Sequence, residues 1–171
     1  MKTLYLIGGT MGVGKTATAR CLRDLLPHAV MLDWDWCWDA RPFVVTDETR
    51  ALVLDNICHL LGNFLRCSAY ENIVFSWVMH EQAIVDEIAG RLPLCETACR
   101  VVPVSLVCSE AELRRRLDGD IRRGLREPEV VGRSVARLPL YGKLRTHSID
   151  TTDRTPEQAA RAIAGLAPAK R

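Results

Sequence analysis

A glycine-rich octapeptide near the start of the chain limits the possible folds more than any other feature of the sequence. Residues 9–16 have the form G-x-x-x-x-G-K-T. A short apolar run at residues 3–7 precedes them, as in a buried parallel strand, and residues 17–26 place leucines on one helical face. The octapeptide is therefore predicted to join a strand to a helix N-terminus, where free backbone N–H groups and the helix dipole attract an anion.

This pattern predicts a binding site for a nucleoside triphosphate. The glycines let the backbone approach phosphate closely, Lys15 is expected to reach the β- and γ-phosphates, and the Thr16 hydroxyl is expected to bind Mg²⁺. ATP and Mg²⁺ are thus the predicted cofactors. The predicted nucleotide-binding residues are Gly9, Thr10, Met11, Gly12, Val13, Gly14, Lys15, Thr16 and Ala17.

Length and composition indicate one globular, cytoplasmic domain over residues 1–171. Of the 171 residues 48% are hydrophobic, and the net charge of +2 is too small to indicate nucleic acid or an anionic membrane as a partner. We expect neither a signal peptide nor a membrane span, and a monomer or homodimer. The seven cysteines are scattered without a C-x-x-C pair, which favours reduced thiols over a zinc site.

Strand-like and helix-like segments alternate along the whole chain. Strands are predicted at residues 3–7, 28–33, 72–78, 100–107 and 146–151, and helices at 17–26, 47–66, 81–91, from 109, at 129–138 and from 155. Such alternation predicts a parallel sheet covered by helices on both faces, with ligands beyond the carboxyl ends of the strands. Residues 167–171 are expected to fray.

Asp33 and Asp35 directly follow the second predicted strand and so are expected to face the glycine-rich loop. Transfer of a phosphoryl group to an alcohol needs a carboxylate near the acceptor hydroxyl and acceptors for Mg²⁺ and its waters. The competing interpretation is that Asp33 only caps a turn. The tryptophans at 34, 36 and 38 are either core residues or an aromatic wall for the acceptor, with Trp36 and Trp38 the better pocket candidates.

The segment from Arg114 to Arg126 is rich in arginine and is interrupted by glycine. It can be a solvated helix face, because acidic residues on the same segment supply partners. Alternatively its second half is a lid, over about residues 119–134, whose Arg123 and Arg126 reach the transferred phosphoryl group. His80 and Glu81, after the third strand, either contact the acceptor or only start a helix, and the second role is the one we expect.

Together these motifs resemble the adenylate kinase/shikimate kinase-like branch of P-loop kinases, and the small-molecule members in particular. The resemblance spans nearly the whole chain and implies the sheet order 2-3-1-4-5. It also implies that Asp33 serves Mg²⁺ or acts as the base, that Asp35 holds the acceptor, and that the adenine lies near residues 116–123 and 151–154. The chain departs from the family in two places, since the third strand lacks a terminal carboxylate and no Gly-Gly-Gly follows it.

Three functions are compatible with these residues. The first is an ATP-dependent kinase that phosphorylates a hydroxyl of a small molecule or nucleoside. The second is a P-loop NTPase, although the base-reading and switch motifs of a GTPase are absent from the sequence. The third is a module that binds nucleotide without consuming it. The intact Lys15 and Thr16, with two acidic candidates, favour the kinase.

Overall fold

The computed structural model describes residues 1–166 and contains a five-stranded parallel sheet; the tail expected to fray lies outside the described residues. The strand order is β2-β3-β1-β4-β5, as predicted. The strands are β1 (Lys2–Gly8), β2 (Ala29–Asp33), β3 (Asn72–Ser76), β4 (Cys99–Val107) and β5 (His147–Asp150). The central strand β1 pairs with β3 through Leu6 and Phe75 and with β4 through Gly8 and Ser105.

Helices cover both faces of this sheet, so the predicted three-layer α/β class is confirmed. Within the described residues they are α1 (Lys15–Leu25), α2 (Asp47–Arg66), α3 (Gln82–Arg91), α4 (Glu110–Arg122), α5 (Val130–Tyr141) and α6 (Pro156–Ala164). Side chains of β1 alternate between two apolar layers. Leu4 and Leu6 join the layer beneath α2 and α3, whereas Tyr5 and Ile7 join the layer beneath α1 and α6.

A third, smaller apolar cluster holds α4 and α5 against the glycine-rich loop. Leu113, Leu117 and Val130 are buried in it, and Met11 of the loop packs against them. Burial of these side chains fixes the arginine-rich helix α4 beside the carboxyl edge of the sheet, because each removes apolar surface from water. The arrangement thus places the loop between the sheet and the α4–α5 pair.

Two predicted helix starts behave differently in the structure. Thr155 and Gln158 form the expected reciprocal capping box, with Pro156 at the first helical position. Ser109 caps α4 by accepting from the Glu112 N–H, but the Glu112 carboxylate does not complete the box. It binds two arginines of its own helix instead, which hold the pKa of Glu112 at about 2.

Element ends differ from the predictions at the site edge of the sheet. Strand β3 ends at Ser76 rather than at residue 78, and the chain then turns through Met79, which has a positive φ of 36°. Helix α4 continues to Arg122, so the predicted lid consists of the end of α4, a loop at 123–129 and the start of α5. Glu110 pairs with Arg114 and Glu112 with Arg115, and these two arginines lie on an exposed face of α4, whereas Arg116 points toward the sheet.

No helix within residues 1–166 has the length and apolarity needed to cross a lipid bilayer. All seven cysteines are free thiols. Most are partly buried, as small apolar groups would be, but Cys67 and Cys95 are exposed.

Candidate active site

The glycine-rich loop connects β1 to α1 in a conformation that only glycine adopts easily at two positions. Gly12 and Gly14 have φ values of +84° and +102°. A Cβ on Gly12 would also lie 2.6 Å from the Leu117 side chain, so no larger residue fits beneath α4. The loop backbone is held to the sheet by the Gly9 N–H, which donates to the Val78 carbonyl at 3.2 Å. The first turn of α1 therefore opens toward the cleft with its N–H groups free for an anion.

Lys15 begins α1 and is folded back over the loop. Its Nζ donates to the Thr10 carbonyl oxygen at 2.9 Å. Burial lowers the pKa of Lys15 to about 8, and the positive charge of Arg126 contributes to the decrease. The protein therefore neutralises the positive charge of Lys15 only in part, and a bound triphosphate would supply the remaining negative charge.

The lowered pKa of Lys15 predicts a pH-dependent stability difference between the nucleotide-free and metal-free wild type and a Lys15→Met variant. Because the folded pKa lies below the unfolded one, the unfolded chain binds more protons between about pH 8 and 10.5. The wild type should therefore gain stability relative to the variant as the pH rises through this window, by on the order of 1–3 kcal/mol. Urea unfolding at four pH values measures this difference. A constant difference across the window would contradict the prediction.

Asp33 ends β2 and is the hydrogen-bonding centre of the site. Its Oδ2 accepts from Thr16 Oγ1 at 2.8 Å and from Ser76 Oγ at 3.0 Å, and its Oδ1 accepts from the Asp35 N–H at 3.2 Å. The side chain is buried, with 4% of the residue exposed. Asp33 also caps the 3-10 turn at Trp34–Trp36, as the capping interpretation predicted, and this cap leaves a functional role open to the same carboxylate.

The oxygen atoms of Thr16 and Asp33 fit Mg²⁺, which prefers hard oxygen ligands and retains waters and substrate phosphates in its shell. The two side chains are in contact, and the buried carboxylate has only neutral donors around it. No group of three or more metal-binding side chains occurs in residues 1–166. Phosphates and water would therefore supply the remaining ligands.

Asp35 lies at the mouth of the site and is more exposed than Asp33. Partial burial raises the pKa of Asp35, and the neighbouring Asp33 carboxylate raises it further. Lys15 and Arg126 oppose this increase through their positive charges. These electrostatic interactions indicate that Asp35 lies near both Lys15 and Arg126.

Aromatic side chains pack together beside the two aspartates, but they are not the pair, Trp36 and Trp38, that the sequence favoured as pocket residues. Trp34 stacks on Trp77 with ring centroids 6.0 Å apart, and Trp38 lies edge-on to Trp34 at 6.0 Å. Phe43 contacts Trp38 at 4.7 Å. Trp36 is 61% exposed and makes no ring contact among the described residues, so the aromatic wall forms from its neighbours.

A second segment beyond β3 brings a histidine to the same edge. Nε2 of His80 lies 3.3 Å from the Glu81 carboxylate, whereas Nδ1 is buried without a hydrogen-bond partner among residues 1–166. Glu81 occupies the N-cap position of α3 but its side chain makes no capping bond. Burial lowers the pKa of His80, and the positive charge of Arg137 on α5 lowers it further. The predicted helix-start role therefore does not account for this pair.

The opposite side of the loop, toward β4 and β5, is organised by Arg116. Its Nη1 donates to the Val13 carbonyl at 3.0 Å, and its Nη2 donates to the Thr151 carbonyl at 2.6 Å. Glu112 fixes the guanidinium by accepting from Nε at 2.7 Å. A cavity of about 450 Å³ lies here. Of the two segments predicted to surround the adenine, residues 151–154 all line it, whereas the segment 116–123 contributes only Arg116.

The lid arginines line an adjoining cleft of about 510 Å³ together with Lys15 and Thr16. Both are bound to one carboxylate: Arg123 Nη2 lies 2.7 Å from Asp120 Oδ1, and Arg126 Nε lies 3.0 Å from Asp120 Oδ2. The two guanidinium groups are thus held at the cleft wall by an intramolecular anion. Arg133, at the start of α5, lines a different, smaller cavity with Met11.

Removing this anion should strengthen nucleotide binding. In the wild type, Arg123 and Arg126 must break their ion pairs with Asp120 before they can bind phosphate, and partly exposed ion pairs of this kind stabilise a protein by about 0.2–1 kcal/mol each. An Asp120→Asn variant avoids this cost. We expect the dissociation constant for ATP to fall about 2–10-fold. Asp118→Asn, on an exposed position of the same helix, is the matched control. Weaker ATP binding by the Asp120 variant would show that the carboxylate positions the arginines rather than competing for them.

The structure brings most of the predicted site residues to one edge of the sheet. Lys15, Thr16, Asp33 and Asp35 lie together there, and Arg123 and Arg126 line the same cleft. Thr151 lies in the segment predicted near the adenine, and Asp120 is one of the acidic residues predicted to pair with the arginines of its own segment. Sequence reasoning did not single out Ser76 and Arg137. The rule that ligands bind beyond strand ends marks Ser76, but the sequence carries no signal that marks Arg137.

Comparisons with known proteins agree with this geometry. A family model described as an AAA domain matches residues 6–132. A search of the curated proteins finds no significant match. Among solved structures, a tunicamycin resistance protein from Deinococcus radiodurans is 22% identical, with 99% of this chain and 98% of that chain covered and a TM-score of 0.69.

Two kinases of known structure are similar to this chain, with identities and coverages close to those of the tunicamycin resistance protein. A gluconokinase from Sinorhizobium meliloti 1021 is 20% identical over 96% of this chain and 93% of its own, with a TM-score of 0.67. A shikimate kinase from Acinetobacter baumannii, in complex with shikimate, is 22% identical over 97% and 92%, with a TM-score of 0.62. At these identities the likeness is one of fold. The chain therefore belongs to the AAA domain family, and its fold is that of the P-loop small-molecule kinases.

Proposed function

We propose that this chain is a kinase that transfers the γ-phosphate of Mg-ATP to a hydroxyl group of a small molecule or nucleoside. The observation that carries the proposal is the hydrogen bond between Thr16 and Asp33, which joins the phosphate-binding loop to the end of β2. Asp35 follows two residues later, at the mouth of the site. Phosphate-binding groups and carboxylates thus meet at one edge of the sheet, as phosphoryl transfer to an alcohol requires.

The phosphate end of the reaction is assigned to the loop and α1. Backbone N–H groups of the loop and the positive end of the α1 dipole would bind the β-phosphate. Lys15 would exchange the Thr10 carbonyl for the γ-phosphate and neutralise part of its charge. Thr16 and Asp33 would hold Mg²⁺, which when bound draws negative charge from the phosphate oxygens.

The acceptor end is assigned to Asp35. The acceptor oxygen forms a bond to the γ-phosphorus, the bond between that phosphorus and the bridging oxygen of ADP breaks, and the hydroxyl proton passes to the Asp35 carboxylate. The raised pKa of Asp35 supports this role because such a carboxylate holds a proton more readily. Asp33 is buried and accepts hydrogen bonds from three donors. Besides its role at Mg²⁺, it would therefore position Thr16 and Asp35 and would not accept the proton.

The lid arginines complete the proposed site. Arg123 and Arg126 would leave Asp120 and contact the transferred phosphoryl group, where guanidinium groups stabilise the charge of the transition state. Closure of the loop at 123–129 would also exclude water from the reaction. A kinase gains from this because phosphoryl transfer to water then competes poorly with transfer to the acceptor.

ADP release with Mg-ATP tests the proposal directly. The acceptor panel should contain nucleosides, sugars, sugar acids, polyols and hydroxylated antibiotics, with an assay lacking any acceptor beside them. We expect one chemical class to raise ADP release at least tenfold above that background, with a phosphorylated product detected by mass spectrometry. Steady ADP release without an acceptor would favour an NTPase, and tight ATP binding with no turnover would favour a nucleotide-sensing module.

A further inference from the structure

The phosphate-binding loop contacts both helices that flank the lid segment at 123–129. On the α4 side, Gly12 lies directly beneath the side chain of Leu117. The Val13 carbonyl accepts from Arg116 Nη1 of the same helix at 3.0 Å. The α4 end of the lid is therefore anchored to the loop that would hold the phosphates.

Thr10 makes the corresponding contact with α5. Its Oγ1 donates to the Ser134 carbonyl oxygen at 2.9 Å, and both residues are fully buried. The next loop residue, Met11, packs against the apolar cluster that buries Val130, the first residue of α5. Val130 and Ser134 are four residues apart and so lie on one face of the helix. The α5 end of the lid is thus held to the same loop by a hydrogen bond and an apolar contact.

The main chain and the side chain of Thr10 serve different parts of the site. Its carbonyl accepts from the Val13 N–H at 3.4 Å and from Lys15 Nζ at 2.9 Å, both within the loop and the start of α1. Its hydroxyl leaves the loop and donates to α5. A substitution that removes only the hydroxyl therefore separates the contact with α5 from the organisation of the loop itself.

The position of α5 bears on Arg126. The Val130 N–H donates to the Glu127 carbonyl at 3.2 Å, so the last turn of the lid is continuous with the start of α5, and Arg126 immediately precedes that turn. Burial and the positive charge of Arg126 lower the pKa of Lys15, which indicates that the two side chains are close. A shift of α5 against the loop would therefore move Arg126 relative to a phosphate bound at Lys15.

The connection from Arg126 back to α4 is weaker once the reaction is under way. In this structure Arg126 is bound to Asp120 of α4, but the proposed reaction requires it to release that carboxylate. The remaining link to α4 runs through Gly124, which has a φ of +69° and would have open space around a Cβ among residues 1–166. With Asp120 released, α5 is the firmer support for Arg126.

We propose that Thr10 is a positioning residue for the lid: by holding α5 against the phosphate-binding loop, its hydroxyl sets the place from which Arg126 reaches a phosphoryl group bound at Lys15. This inference rests on the proposed function and adds a residue whose side chain contacts no reacting atom. Loss of the hydroxyl should weaken binding of a γ-phosphate. Binding of ADP should change little, because the N–H groups of the loop hold its phosphates.

Nucleotide titrations test this without an acceptor. Isothermal titration gives the dissociation constants of Mg-ADP and of Mg²⁺ with the non-hydrolysable imido analogue of ATP, and their ratio is the γ-phosphate preference. Thr10→Val should lower this preference about threefold or more and change ADP affinity less than about twofold. Thr10→Ser, which keeps the hydroxyl, should retain the wild-type preference. Thr3→Val, at the buried start of β1, is the matched control.

A double-variant cycle tests whether the effect passes through the lid. Arg126→Gln should lower the preference at least as much as Thr10→Val, and adding Thr10→Val to it should cause no further loss beyond about 1.5-fold. Adding Thr10→Val to Lys15→Met should still produce the full loss. Equal weakening of ADP and the analogue, an unchanged preference in Thr10→Val, or full additivity with Arg126→Gln would overturn the inference. If urea unfolding shows that valine prevents folding, Thr10→Cys, whose thiol donates only weakly, replaces it.

Failure of the inference and failure of the proposed function give different results. If Thr10→Val phosphorylates a responding acceptor at the wild-type rate with its preference unchanged, the kinase stands and the positioning role is wrong. If the preference depends on Thr10 and Arg126 as expected but no acceptor is phosphorylated, the positioning role stands and the proposed reaction is wrong.

Discussion

A Lys15→Met variant is expected to lose phosphoryl transfer while keeping its fold. Removing a preorganised charge that stabilises the transition state costs about 10²–10³-fold in kcat, and Lys15 would contact the very group that moves. Methionine has a similar length and no charge, so the buried surface is retained. Turnover of Mg-ATP with a responding acceptor measures the loss, and titration with a nucleotide analogue measures affinity separately.

Stability measurements on the same variant should show that this loss concerns chemistry and not folding. Methionine forfeits one hydrogen bond, from Nζ to the Thr10 carbonyl, which is worth about 1 kcal/mol. It also relieves the cost of holding a charge in a site that lowers the pKa of Lys15 to about 8. Together these two effects should leave the free energy of unfolding at pH 7 unchanged or raise it by up to about 2 kcal/mol. Lys143→Met, at an exposed position, is the matched control. A near-normal rate of phosphoryl transfer in the Lys15 variant would show that Lys15 has no part in the mechanism.

The glycine-rich loop was predictable from sequence because its chemistry is local. Gly12 and Gly14 need positive φ values, and Lys15 and Thr16 must follow them immediately at the start of a helix. The spacing of these residues therefore encodes the structure without help from distant parts of the chain. The same holds for Thr155 and Pro156, which determine the start of α6 by hydrogen bonds and backbone geometry within one turn.

Asp33 and Asp35 were predictable through topology. Their position directly after β2 indicates the carboxyl edge of the sheet, where parallel strands place their ligands. The different environments of the two aspartates were not predictable from the sequence, because donors to Asp33 come from Thr16 on α1 and Ser76 on β3. Only the folded chain brings those hydroxyl groups within 3.0 Å of one carboxylate.

The aromatic wall and the lid show where sequence reasoning fails. Trp36 and Trp38 were the better pocket candidates, and Trp38 does pack with Trp34 and Phe43, but the 3-10 turn leaves Trp36 exposed. The mobile loop predicted around Gly124 does lie beyond α4, but the helix itself continues through Gly119 to Arg122 because Leu113 and Leu117 bury its apolar face. Tertiary packing outweighs a glycine that costs about 1 kcal/mol.

An Asp33→Asn variant is expected to lose rate far more than nucleotide affinity. The amide nearly preserves the shape of the side chain but removes the negative charge and replaces one acceptor oxygen with a donor. Thr16 and Ser76 donate to Oδ2 and the Asp35 N–H donates to Oδ1, so at least one of these three donors loses its acceptor whichever position the amide nitrogen takes. We expect kcat to fall about 10²–10³-fold, while the dissociation constant for ATP, set mainly by the loop, changes less than about fivefold.

Companion variants separate the two aspartates. Asp35→Asn removes the proposed proton acceptor and should cost about 10²–10⁴-fold in kcat. Because Asp33 positions Asp35 through the bond from the Asp35 N–H, the double variant should lose less than the product of the single losses. Asp39→Asn, on the same exposed loop, should leave the rate unchanged within about twofold. Loss of ATP binding in Asp33→Asn, with normal turnover per bound ATP, would show that Asp33 serves the nucleotide site alone, because a group required for transfer cannot be lost without slowing the bound complex.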